Sequence, residues 1–139
     1  HLEVVQCLVD HGANVAAKGK DGMTPLLHGA SRFGKFEVVR HLVNHGANVE
    51  DKNSDEWTAL HFASRWNKLK EVQCLVDHGA NVGARDTDGD TPLHVACKYG
   101  QFEVVQHLCD HRGANVEAKN NGGQTPLHCA SCNRRYLEV

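Results

Sequence analysis

Residues 91–100 read TPLHVACKYG, and this stretch contains the signals that begin and end a short helix. Thr91 can cap the helix, because its hydroxyl accepts a hydrogen bond from a free N–H of the first turn. Pro92 follows at the first helical position, where a missing N–H costs nothing. The Leu and the Ala of the motif lie three residues apart on one apolar face. Gly100 can end the helix in the left-handed conformation, so the stretch predicts a short helix with one buried side.

The same motif occurs four times at a nearly constant spacing. Variants of T-P-L-H-x-A begin at threonines that are 34, 33 and 34 residues apart: Thr24, Thr58, Thr91 and Thr125. A second string, GANV, recurs in step after apolar patterns such as EVVQCLVD, which predict a second helix in each unit. Eight polar, turn-rich residues separate each of these strings from the next Thr, and they predict a β-hairpin-like finger.

A period near 33 residues that carries T-P-L-H-x-A resembles the ankyrin repeat family. The resemblance covers the whole chain and implies an all-α solenoid of stacked antiparallel helix pairs with β-hairpin-like fingers. One such unit cannot bury both of its helices without stacked neighbours, so we predict a single domain over residues 1–139. Its units are a partial repeat, three full repeats and a final partial repeat: 1–18, 19–52, 53–85, 86–119 and 120–139. The chain opens in the middle of a helical pattern, and we therefore expect a segment of a longer protein.

The first full repeat contains one residue too many. Thr24 and Ala30 are six residues apart, one more than in the other copies, so either Leu26 or Leu27 is extra. An inserted residue turns a helix by about 100°. Burying a Leu stabilises by about 1.5–3 kcal/mol, whereas a Thr cap contributes about 1 kcal/mol. We therefore expect Ala30 to keep the register of the other copies, Thr24 to lose its capping role, and the irregularity to lie between Thr24 and His28.

The overall composition is that of an ordinary globular protein. Fifteen basic side chains stand against 17 acidic ones, so the chain has no basic field for nucleic acid. No apolar run approaches the roughly 20 residues of a membrane helix, and we expect no membrane insertion. The six Cys do not have the spacing of a disulfide framework, which favours free thiols in a reducing compartment. We therefore expect an intracellular protein, in the cytoplasm or else in the nucleus.

The 11 histidines raise the question of a metal site. His41 and His45 stand four residues apart on one helical face, as do His107 and His111. The repeat explains most of the histidines without a metal. Four belong to the T-P-L-H motif and four occupy a repeated helix-end position, where imidazole meets the helix dipole and the last carbonyls. Because no convergent third ligand is apparent, we predict no structural metal.

Sequence motifs for catalysis are also missing. The chain contains no G-x-S-x-G, no P-loop and no glycine-rich dinucleotide fingerprint. The string C-A-S-C near the end has no second cysteine pair and no thioredoxin-like context. We therefore predict no enzymatic activity, no cofactor, no small-molecule substrate and no disulfide.

The remaining candidate for function is the surface. In the ankyrin family, partners commonly lie along the fingers and the first helices, which together form a concave groove. The resemblance transfers this role to residues at the ends of the first helices and in the fingers: Met23, Arg32, Phe33, Asp55, Trp57, Arg65, Trp66, Asp88, Asp90, Lys98, Tyr99 and Gln124. Trp57 is the strongest candidate, because it lies on a finger. The aromatic residues at the helix ends can instead pack on the next repeat.

Two functional hypotheses follow from this surface. The first is a non-catalytic module that binds a protein or peptide partner through the groove. The alternative is a spacer or mechanical repeat segment of a larger cytoskeletal or membrane-associated protein. An exposed row of aromatic and basic side chains would favour the binding module, whereas a groove of small polar residues would favour the spacer.

Overall fold

The structure is a computed structural model, and it describes residues 1–132. Eight α-helices and one short 3-10 turn (Lys20–Gly22) occur in this part of the chain, which contains no strand. The helices are α1 (Leu2–Asp10), α2 (Pro25–Ala30), α3 (Phe36–Asn44), α4 (Ala59–Arg65), α5 (Leu69–Asp77), α6 (Pro92–Lys98), α7 (Phe102–Arg112) and α8 (Pro126–Ser131). The predicted all-α fold of eight helical segments is therefore confirmed.

The helices form two layers. The first helices of successive units, α2, α4, α6 and α8, stack on one another, and the second helices α1, α3, α5 and α7 form the other layer. The layers are joined within each unit, where α2 packs on α3, α4 on α5 and α6 on α7. Leucines at the third position of the T-P-L-H motif fill the space between units, and Leu26, Leu60 and Leu93 are buried. The core is therefore continuous from repeat to repeat, as in other solenoids.

In the two central repeats, the histidine of the T-P-L-H motif links the helix start to the next finger. The Thr58 hydroxyl accepts from the N–H of His61, while His61 Nδ1 accepts from the N–H of Thr58 at 3.2 Å. Since Nδ1 accepts, Nε2 carries the hydrogen, and it donates to the carbonyl oxygen of Asp90 at 2.9 Å. His94 makes the same link to the carbonyl of Gln124 at 2.9 Å. A capping residue thus also holds two repeats together.

Burial makes His61 sensitive to pH. The loss of water around the ring lowers the pKa of His61, although the Asp90 carbonyl and the Asp86 carboxylate act in the opposite direction. A histidine with a lowered pKa in the folded state binds fewer protons there than in the unfolded state. The contribution of neutral His61 to the free energy of unfolding is therefore fully present above the ordinary His pKa of about 6.5. It falls as the pH drops below that value.

We expect this loss to disappear in the variant His61→Leu. Leu27 occupies the corresponding position in the first repeat and is 1% exposed, so the fold accepts a Leu there. Melting temperatures of both proteins, measured from about pH 7.5 to about pH 5, should fall more steeply for the wild type. Equal slopes would show that His61 does not titrate differently on folding.

The extra residue in the first repeat does not disturb the helix start, and our expectation for it was wrong. Thr24 caps α2 like its counterparts, with its hydroxyl 3.3 Å from the Leu27 nitrogen. Leu27 takes the buried place of the motif histidine, and His28 is exposed. Gly29, five residues after the capping Thr, occupies the position that Ala has in the other copies.

The irregularity lies instead at the end of α2. This helix stops after six residues at Ala30, and Ser31 is extended. Gly34 does not adopt the left-handed conformation that ends α4 at Asn67 (φ 54) and α6 at Gly100 (φ 66). A loop can absorb one residue without changing which side chains are buried, so the chain keeps both the cap and the buried Leu.

Candidate partner-binding surface

Three of the fingers are held in a fixed shape by an amide or carboxylate at their fourth position. Asn53 Oδ1 accepts from the backbone N–H groups of Asp55 (3.0 Å) and Trp57 (2.9 Å). Asp86 and Asn120 make the same pair of bonds in their fingers. Neighbouring fingers are joined by backbone hydrogen bonds such as that from Thr87 to the Asp55 carbonyl, 3.1 Å. The fingers therefore form a continuous, rigid ridge.

Trp57 is anchored more firmly in this ridge than its place on a finger suggested. Its indole N–H donates to Asp86 Oδ2 at 2.9 Å, and the ring is only partly exposed. It stacks on His61 with ring centroids 5.7 Å apart and meets the edge of Phe62 at 5.0 Å. Trp57 thus supports the finger and the first helix as well as presenting part of its surface.

Arginines and aromatic rings alternate along the ends of the first helices. The Arg32 guanidinium lies 5.0 Å from the centre of the Phe33 ring and 5.2 Å from that of Trp66. Arg65 lies 4.0 Å from the Trp66 ring and 3.5 Å from the Tyr99 ring. We call these five residues the arginine–aromatic row. Each Arg bridges two aromatic rings, and the row runs across three repeats.

The row is accessible to a partner. Phe33 is 82% exposed and Tyr99 is 40% exposed, while Trp66 is half-buried. Large apolar side chains at such exposure on a folded surface are typical of interaction sites. Each ring also has a guanidinium on its face, and this contact limits its rotation. Trp66 and Tyr99 therefore contact an arginine of the preceding repeat and remain accessible, whereas Phe33 contacts Arg32 of its own repeat.

Two of the candidate residues bind each other. Asp90 is 2% exposed, its carboxylate pairs with the Lys98 ammonium, and it also accepts from Asn120 Nδ2 at 2.8 Å. This pair ties α6 to its own finger and to the following one. The opposite charges of Asp90 and Lys98 therefore largely compensate each other within the domain.

The other finger candidates differ in exposure. Asp55 and Asp88 are exposed at the finger tips, whereas Met23 and Gln124 are half-buried at the finger bases. Gln124 Oε1 accepts from Asn120 Nδ2 at 3.3 Å, within its own finger. The carboxylates of Asp55 and Asp88 are therefore exposed acidic groups on two neighbouring fingers.

Phe62 belongs to this surface and was not identified from the sequence. It lies one helical turn before Trp66, so the two rings share a face of α4, and it touches Trp57 on the other side. The contact between Trp57 and Phe62 thus connects the finger of this repeat with its first helix. The signal was an aromatic residue inside the motif at a position where the other repeats have His28, Val95 and Cys129.

The cysteines offer little nucleophilic chemistry. All six are free thiols. Burial raises the pKa of Cys97 to about 11, and burial also raises the pKa values of Cys74 and Cys109. Since the thiolate is the nucleophile, these three side chains stay protonated and unreactive near neutral pH.

Comparison with known proteins agrees with this architecture. The chain matches the family described as ankyrin repeats (3 copies), in three overlapping segments that cover residues 1–53, 27–120 and 72–139. A search of curated proteins finds no match. None of the helices within residues 1–132 is long and apolar enough to cross a membrane. The chain therefore belongs to the ankyrin repeat family, as the repeated motif in its sequence indicated.

Proposed function

We propose that this domain binds a segment of a protein partner along the surface formed by the fingers and the arginine–aromatic row. Domains of the ankyrin repeat family generally act as protein–protein interaction modules, and they are typically not catalytic. The proposal rests on the arginine–aromatic row. Its three aromatic rings remain accessible, and the guanidinium groups of Arg32 and Arg65 lie over them. The site comprises this row together with Met23, Asp55, Trp57, Phe62, Asp88 and Gln124, and the Asp90–Lys98 pair supports it.

The chemistry of the row suits a partner with apolar anchors. Trp, Tyr and Arg dominate binding hot spots, because they bury a large area with little loss of conformational freedom. Here the arginine side chains already lie against the rings, so these side chains lose less conformational entropy when a partner binds. The exposed carboxylates of Asp55 and Asp88 lie on two neighbouring fingers, where a basic group of the partner would be favoured.

The same observation favours binding over the alternative of a spacer or mechanical segment. A spacer needs only rigid stacking, for which small polar side chains on the concave side are sufficient. Tyr99, which lies in a full repeat with neighbours on both sides, is still 40% exposed, and stacking does not require that exposure. We therefore assign the aromatic side chains to recognition.

We expect Trp66→Ala to weaken binding strongly. Peptides selected on the wild-type domain from a random library would be measured by isothermal titration against wild type and variant. A hot-spot residue contributes about 2 kcal/mol or more, so the dissociation constant should rise by about 30-fold or more. Thermal melts of both proteins would establish that the variant is folded.

Phe102→Ala is the matched control. Phe102 is a large aromatic side chain, 66% exposed, at the start of α7 in the layer of second helices. Its removal should leave the dissociation constant unchanged. If Phe102→Ala abolished binding and Trp66→Ala did not, the recognition surface would lie on the second helices and the proposal would be wrong.

A further inference from the structure

Two histidines of α3 converge with an aspartate at the end of α1. One oxygen of the Asp10 carboxylate and one nitrogen from each ring of His41 and His45 all lie within 4.8 Å of one another. The two rings stack with centroids 4.0 Å apart, as their spacing of four residues on one helical face allows. The sequence alone showed no third ligand for this pair, because Asp10 belongs to the preceding unit.

The hydrogen bonds leave a nitrogen available on each ring. His45 Nδ1 lies 2.8 Å from the carbonyl oxygen of His41, so Nδ1 carries the hydrogen and Nε2 keeps its lone pair. Histidines that bind metals usually donate their other N–H to a carbonyl or carboxylate in this way. His41 Nε2 is covered by surrounding atoms and has no hydrogen-bond partner within residues 1–132, as is also true of His107 Nε2. An unpartnered buried polar atom is costly, and coordination would remove that cost.

The chain contains an internal comparison two repeats further on. Asp77, His107 and His111 occupy the corresponding positions on α5 and α7. There, the inserted residue Arg112 pairs with the Asp77 carboxylate, and the two rings are 5.2 Å apart and tilted. The Arg112 guanidinium therefore already neutralises the aspartate of this second group. In contrast, no ion pair involves Asp10 within the part of the chain that the structure describes.

We propose that Asp10, His41 and His45 bind a divalent transition-metal ion of the zinc class, with solvent completing the coordination. Imidazole nitrogen and carboxylate oxygen are common zinc ligands, and three protein ligands leave one tetrahedral position open. Tetrahedral bonds of about 2.0 Å place ligand atoms about 3.3 Å apart. A separation of at most 4.8 Å has to close to that value, and the exposed Asp10 side chain can rotate toward the two rings, which the hydrogen bond of His45 and the stacking already hold in place. Calcium and magnesium are disfavoured, because they prefer oxygen ligands only.

The sequence predicted no bound metal, and a tetrahedral site on His41 would overturn that prediction, although the fold itself does not depend on the ion. The core of α1 to α8 is built from apolar side chains without it. The ion would bind on the layer of second helices and clamp α1 to α3. Binding should therefore stabilise the folded state by mass action without being required for folding.

The test is a titration of the whole chain with Zn²⁺ by calorimetry and with Co²⁺ by visible absorption, in the presence of a phosphine reductant. We expect one equivalent of metal and the d–d absorption of tetrahedral cobalt. Asp10→Asn and His45→Ala should each weaken binding by at least about tenfold, since even the loss of a group that only hydrogen-bonds to a metal ligand costs about 10–100-fold in affinity. His107→Ala, the matched control, should leave affinity and stoichiometry unchanged. Melts without metal should coincide for the wild type and Asp10→Asn, whereas His45→Ala should melt at a lower temperature, because it loses its hydrogen bond to the His41 carbonyl, and should still remain folded.

Three results would overturn the proposal. The first is the absence of saturable binding, and the second is binding that persists in His45→Ala. The third is a thiolate-to-cobalt band in the near ultraviolet that disappears in Cys7→Ser. That band would assign the ion to Cys7 and His11, which lie 3.8 Å apart from sulfur to Nδ1.

Discussion

Replacing Leu60 by alanine is expected to lower the free energy of unfolding by about 2–5 kcal/mol, the range for removal of a buried Leu. Leu60 is fully buried in α4, which stacks between α2 and α6 and also packs on α5. The cavity would therefore weaken contacts to both neighbouring repeats, and stability in a solenoid depends on those interfaces. Urea unfolding followed by circular dichroism measures the change, which is large against the about 5–15 kcal/mol of an ordinary domain.

Leu127→Ala is the control for this substitution. Leu127 occupies the same place in the T-P-L-H motif, two residues after the capping Thr, but it is 74% exposed. Its removal should change the free energy of unfolding by no more than about 0.5 kcal/mol. Equal losses at the two positions would show that the motif Leu acts within its own helix and not through stacking.

Gly34→Ala is expected to destabilise the domain by about 1–3 kcal/mol, as overpacking does. A Cβ atom at Gly34 would lie 1.7 Å from the carbonyl oxygen and 2.3 Å from the carbonyl carbon of Gly29. Both atoms belong to the backbone, so the loop 31–35 has to move to make room. This loop accommodates the extra residue of the first repeat and leads directly into α3, so a shift of the loop would also displace the start of α3.

Gly83→Ala provides the comparison. Gly83 is also outside the left-handed region, and the nearest atom to an added Cβ is Asn81 Oδ1 at an ordinary 3.4 Å. An alanine that fits without strain restricts the unfolded chain and stabilises by about 0.4–1 kcal/mol. Thermal or urea unfolding should thus move in opposite directions for the two variants. A neutral Gly34→Ala would mean that the loop rearranges freely.

The register of the first repeat shows a limit of reasoning from sequence. We compared the burial of a Leu with the strength of a Thr cap as if only one could be kept. The structure keeps both, because Leu27 fits the buried place of the motif histidine and α2 simply ends earlier. The cost of an insertion depends on where the chain has a loop that can absorb it, and that is a property of the packed repeat.

The sequence could place the residues of the proposed binding surface in equivalent repeat positions, but it could not give the contacts between them. The repeat period placed Arg32, Arg65 and the aromatic residues in equivalent columns, since equivalent positions of a solenoid face the same way. The insertion of each Arg between two rings, the contact of Trp57 with Asp86 and the role of Phe62 all depend on the distance between stacked repeats.

The sequence by itself determined the repeat period, the helix starts at the four threonines and the all-α solenoid. These features follow from local rules of capping and helical periodicity, which act within a few residues. Only the tertiary structure decided the burial of Asp90 beside Lys98 and the approach of Asp10 to His41 and His45. Such contacts join side chains that the stacking of helices brings together, and their geometry is set by packing between elements, which no local pattern contains.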